Sequence, residues 1–171
     1  MVAVNEDALR RLPKAELHLH LDGSLRPGTV EELAREVGVV PADAPEGAAM
    51  GRVRVTRRAG LLEALQGFEV LLPLLQTREH LARVTRELVE DLAAERVVYT
   101  ELRFCPRLNT ERGLTIDEVL ATVGEAAAQA EAATGTQVAL LACLMGGVDP
   151  DWNRPVLEAA IRRIDSGVVG V

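Results

Sequence analysis

Aromatic residues are almost missing from this 171-residue chain: one Trp, one Tyr and two Phe make up 2% of it. Lysine is scarcer still, since Lys14 stands alone among 19 basic residues and the rest are arginine. The arginines are scattered, often beside acids, and the net charge is −7. With no basic cluster interleaved with aromatics, no nucleic-acid partner is expected. No apolar run approaches the ~18 residues that a bilayer-spanning helix needs, so no membrane partner is expected either. Asn5, Glu6 and Asp7 occupy the stretch where a signal peptide would place its apolar core. The two cysteines, Cys105 and Cys143, have neither metal nor redox spacing, and their apolar context suits reduced, buried thiols. These absences together predict a soluble, cytoplasmic protein.

What is present is a 48% apolar fraction, enough for the core of one domain over residues 1–171. Short apolar strands alternate with amphipathic helices. Strands are expected at Ala15 to Leu21, Val97 to Phe104, Gln137 to Met145 and Gly167 to Val171. Pro27 marks the first turn of a helix running to about Val37. Leu81, Val84, Leu88 and Leu92 recur at helical steps after Thr77. Thr115 with Glu118 forms a capping-box pattern, and Gly135 stops the helix that it begins. Val156, Leu157, Ala160, Ile161 and Ile164 mark one more helical face. The stretch from Gly38 to Arg58, with Pro41, Pro45, Gly47 and Gly51, reads as a long connection of the kind that forms lids or binding regions.

Strand–helix alternation predicts an α/β fold with a parallel sheet and right-handed crossovers. A parallel sheet of about four strands with an open apolar edge is a poor domain by itself. The chain is therefore expected to be a fragment, and such an edge calls for a partner, most simply a second copy.

Chemistry concentrates in Ala15-Glu16-Leu17-His18-Leu19-His20-Leu21-Asp22-Gly23. Strand alternation puts Glu16, His18, His20 and Asp22 on one face and Leu17, Leu19 and Leu21 on the other. A face with four polar or ionisable residues cannot enter an apolar core unpartnered, so it lines a site or meets water. Two imidazoles two residues apart on a strand can converge on one ion, and neutral imidazole suits zinc. The remaining histidine, His80, sits beside Glu79 near a helix start and is expected on the solvated surface.

The stretch from Leu12-Pro13-Lys14 through Leu25-Arg26-Pro27 resembles the N-terminal signature of the adenosine deaminase family, a long and specific motif. Leu65-Gln66-Gly67-Phe68 resembles that family's hydrophobic helix over the purine. Val97 to Pro106 resembles its second strand, and Gly167 to Val171 its fourth. The resemblance implies the N-terminal part, about four βα units, of a TIM (β/α)8 barrel of the amidohydrolase type. It implies zinc (Zn2+) held by His18 and His20, with His20 also against substrate. Asp22 would meet the ribose end of a purine nucleoside, and Leu65 and Phe68 would wall the pocket, although the family usually has a larger side chain where Ala64 stands. The implied reaction is hydrolysis of adenosine to inosine and ammonia, with deaminases of adenine or aminofutalosine as alternatives that share similar openings. The family's third zinc histidine, zinc aspartate, catalytic glutamate and hydroxide-orienting histidine come from later strands. No catalytic residue is thus expected before Val171, and the 171 residues alone are expected to be inactive. A non-catalytic truncated homologue acting by association is the reading from another class. A metallophosphoesterase also opens on His-x-His but needs further histidines soon after, and residues 24–60 hold none.

Four smaller expectations complete the reading. Glu101 and Arg103 share a strand face and suggest an ion pair in the barrel floor, with a part in shaping the pocket as the alternative. Met145-Gly146-Gly147 after the third strand suits a close backbone approach to substrate, since glycine leaves room for one, but a simple turn is the expected reading. Trp152 is expected as core or interface, and Arg57-Arg58 and Arg162-Arg163 as solvated helix faces.

Overall fold

A computed structural model describes residues 5–54, 60 and 65–171. Four strands form one sheet in the order β1 (Lys14–His20), β2 (Val97–Phe104), β3 (Gln137–Ala142) and β4 (Val168–Gly170), each pair parallel. Parallel neighbours need a crossover, and helices supply it. The longer helices are α2 (Pro27–Glu36), α5 (Arg78–Ala94), α6 (Ile116–Thr134) and α7 (Pro150–Arg162). Three shorter ones are α1 (Glu6–Arg11), α3 (Met50–Val53) and α4 (Phe68–Leu71). The expected long connection after Gly38 carries α3, and its end, with Arg57-Arg58, lies outside the described residues, as does Ala64.

The helix boundaries follow their caps. Pro27 occupies the first turn of α2. The Thr77 hydroxyl accepts the His80 N–H at 3.2 Å and starts α5. Both bonds of the Thr115–Glu118 capping box form, and Gly135 closes α6 in the left-handed region at φ 80°.

The core lies between the sheet and its helices. Thr100, Leu102 and Phe104 of β2 are buried in alternation, and Leu140 of β3 stands beside Leu102. Leu81 and Val84 of α5 and Leu120 and Val123 of α6 cover that row. The opposite row of β2, Tyr99, Glu101 and Arg103, is only half-buried, because among the described residues the helices pack on one face. On α7 the burial falls on Val156, Ala159 and Ala160. Leu157, Ile161 and Ile164, expected on the buried face, are exposed.

One departure reshapes β1. Glu16 pairs with Thr100, but Leu19 pairs with Leu102, so β1 carries one extra residue at this point. Such a bulge breaks the two-residue alternation. Glu16 thus stands beside a residue of the helix-packed row, whereas His20 stands beside Arg103 of the open row. Leu17 does not join the packed face and is 55% exposed.

Candidate active site

The polar end of β1 survives the bulge. The His18 and His20 rings lie with centroids 5.5 Å apart and planes tilted by 48°. The Glu16 carboxylate, expected on their face, turns back to accept the His18 backbone N–H at 3.0 Å. After His20 the chain enters a single 3-10 turn, Leu21–Gly23. It is held by the Ser24 hydroxyl, which donates to the His20 carbonyl at 2.5 Å. This turn buries Leu21 and tucks Asp22 inward to 7% exposure.

Asp22 Oδ1 lies 3.6 Å from His20 Nδ1, too long for a hydrogen bond, and has no hydrogen-bond partner among the described residues. Burial raises the Asp22 pKa above the usual carboxylate value, and the nearby His20 only partly offsets it. A buried carboxylate oxygen without a donor is costly to keep, which marks a place where another group completes the bonding.

His20, Asp22, Leu65 and Phe68 all open onto one cavity of about 370 Å3 at the C-terminal ends of the strands. Leu72, Leu108 and Met145 extend its apolar wall, and Cys105 and Cys143 complete it. Burial pushes both thiols up, so they stay protonated and act as small apolar surface. Leu72, Leu108, Cys105 and Cys143 were not expected at a site, although the strand ends after β2 and β3 are where such folds collect function. Met145 is more than part of a turn: the Asn153 amide accepts its N–H at 2.9 Å and donates to its carbonyl at 2.8 Å.

Two other expectations need correction. His80 is not solvated but 8% exposed. Its Nδ1 lies 2.9 Å from the Leu74 carbonyl and its Nε2 3.2 Å from Glu36 at the end of α2. Glu101 and Arg103 share a face without pairing. Glu101 accepts the Tyr99 hydroxyl at 3.2 Å, and Arg103 donates to the Leu17 carbonyl at 2.9 Å. Trp152 is half-buried, with the Arg107 guanidinium 4.6 Å above its ring.

The family model for adenosine deaminase matches residues 13–171. The chain belongs to the adenosine deaminase family. An adenosine deaminase of Mycolicibacterium vanbaalenii is 41% identical over 169 residues, covering 96% of this chain and 47% of that protein. A crystal structure of an Arabidopsis N6-mAMP deaminase superposes with a TM-score of 0.80 at 29% identity, over 95% of this chain and 50% of that one. A Burkholderia ambifaria amidohydrolase crystallised with bound Zn has the same fold, with a TM-score of 0.84 at 24% identity over 99% and 46% of the two chains. This adenosine deaminase family member thus spans about half the length of the relatives it matches. Its fold is the N-terminal part, about four βα units, of a TIM (β/α)8 barrel.

A metal is a fair test of the donor set. Two adjacent imidazoles are suitable ligands, but a catalytic zinc takes three protein ligands and an open position. Among the described residues, no three His, Cys, Asp or Glu side chains gather closely enough to hold an ion. His18 and His20 thus bring two imidazoles together without a third donor among the described residues.

Proposed function

We propose that this chain supplies the metal-binding first strand and one pocket wall of a zinc-dependent adenosine deaminase. The observation that carries the reading is the convergence of His20, Asp22, Leu65 and Phe68 on one cavity, with His18 beside His20. His18 and His20 would hold zinc through imidazole nitrogen. When bound, the metal lowers the pKa of water enough to furnish hydroxide near neutral pH. The net reaction takes up one water, breaks the exocyclic C–N bond of adenosine and releases ammonia and inosine.

The chain's own residues would bind and orient the nucleoside. The unpartnered Asp22 oxygen is an acceptor for a ribose hydroxyl. Leu65, Phe68 and Leu72 supply an apolar surface for the purine and keep bulk water away from it. No Arg or Lys stands among the described residues lining the cavity, which favours an uncharged nucleoside over a nucleotide. The domain boundary is read in the same way: residues 1–171 form one part of a barrel whose remaining ligands and catalytic acid lie on other strands.

The test is zinc content and adenosine turnover of the 171-residue chain, run beside any longer form that its gene encodes. Stoichiometric zinc and inosine formation only in a longer form are expected. His18→Ala and His20→Ala should each strip the metal and cut turnover about a thousandfold or more. Full activity in either variant would overturn the assignment.

A further inference from the structure

The cavity has two walls that come from separate segments, one through Leu72 and one through Leu108. One buried side chain bonds the two cavity-lining residues themselves. Gln76 is 3% exposed, and its Nε2 donates to the Leu72 carbonyl at 2.8 Å and to the Leu108 carbonyl at 2.9 Å. Its Oε1 accepts the Glu111 N–H at 3.0 Å. An amide has two N–H donors, and both are spent on the backbone of cavity-lining residues. At the cavity itself, the Leu72 and Leu108 carbonyls are thus bridged by the width of one amide group. We infer that Gln76 is a positioning residue that sets the width of the cavity and through it the fit of the purine ring.

Asn109 is the natural contrast. It is as buried, at 2%, and donates to the same segment at the Leu75 carbonyl, 3.0 Å away. Yet neither Asn109 nor Leu75 lines the cavity. Its loss should cost stability while leaving the Gln76 bridge between the cavity-lining Leu72 and Leu108 in place. Gln76 holds three backbone groups with no charge, so its function is geometric: it touches no substrate and moves no proton.

The purine reading enters this inference only through what fills the cavity, so the experiment has a readout independent of substrate. Cys105 and Cys143 line the same cavity and are free thiols, which makes their alkylation by iodoacetamide a gauge of access. Gln76→Met keeps the side-chain length and removes all three hydrogen bonds. In the full-length protein it should raise the native-state alkylation rate of both cysteines about tenfold. It should also raise KM for adenosine about tenfold while kcat stays within about twofold. Asn109→Ala, compared at an equal loss of Tm, should change neither rate nor KM. If Gln76→Met gives no folded protein, Gln76→Asn carries the same comparison, since it stays uncharged but is one methylene too short to bridge both carbonyls. Equal alkylation rates and equal KM in the Gln76 and Asn109 variants would overturn the inference. A wild-type protein that deaminates no purine would sink the purine reading alone, and the alkylation rates would still decide the role of Gln76.

Discussion

The two ends of the sheet handle their polar groups in opposite ways. At the N-terminal ends of the strands several polar groups are tied, although the Thr100 hydroxyl further along β2 is buried without a partner. The only lysine, Lys14, donates to the carbonyls of Arg10, Leu12 and Glu95 at 3.2, 3.2 and 2.7 Å. The buried Thr136 hydroxyl donates to the Val97 carbonyl at 2.8 Å, and Glu131 accepts the Val138 N–H at 3.0 Å. At the C-terminal ends, Asp22 Oδ1 and Arg103 Nε are buried without hydrogen-bond partners, and two tilted histidine rings lie side by side. Native interiors rarely leave such groups unsatisfied. One end of the sheet is closed chemistry, and the other is held ready for groups the described residues do not supply. That division between a stabilising end and a reactive end is general for barrels of this kind.

Asp22 gives the sharpest way to break the comparison. If its orphaned oxygen awaits a substrate hydroxyl, Asp22→Asn should lower kcat/KM for adenosine about 10- to 100-fold, the value of a lost charged hydrogen bond. The same change removes a buried, poorly solvated carboxylate, so the urea midpoint should hold steady or rise. A variant that loses stability along with activity would show that Asp22 belongs to the closed end's chemistry after all.

Lys14 tests the opposite end. Lys14→Met leaves three carbonyls to water and should cost about 1–2 kcal/mol of stability, measured as a lower urea midpoint at unchanged slope. KM for adenosine should not move, because Lys14 lies far along β1 from the cavity. A changed KM would couple the two ends and undo the division.

The legibility of the sequence followed the same divide. The second strand coincided with its expected span, and the others lay within or close to theirs. Caps at Thr77, Thr115 and Gly135 announced helix limits because they act through local geometry. His20 meets the cavity as alternation placed it, whereas Asp22 reaches it through the 3-10 turn that follows β1. The bulge was not readable, since it depends on how β1 meets β2 and not on either strand alone. It turned Glu16 away while leaving His18 and His20 adjacent. His80 was misread because Glu79 beside it suggested solvent, whereas burial was decided by α2 and Glu36 from far along the chain. Cys105, Cys143 and Gln76 acquired their places only through tertiary packing, and no local pattern distinguishes them from ordinary core residues.

The smallest expected effect concerns charge on the outer helices. Arg162 and Arg163 are not simply solvated: Asp117 of α6 lies 2.6 Å from Arg162 and 3.6 Å from Arg163, tying α6 to α7. Arg162 chiefly, against a small burial cost and with help from Arg163, holds the Asp117 carboxyl below its ordinary value of 3.8. A depressed carboxylate contributes stability above its unfolded value and loses it as pH falls through the lower folded one. Asp117→Asn should therefore flatten the stability curve only below about pH 3.8. Near neutrality, solvent screening of these exposed groups should hold the change in Tm to about 2 °C or less. Molar salt should abolish even that difference, since screening then acts over ~3 Å. A larger or salt-insensitive loss would place a tightly coupled electrostatic contact on the outer helices. The contrast with Asp22 would then rest on geometry alone, since burial would no longer separate a charge that binds from a charge that decorates.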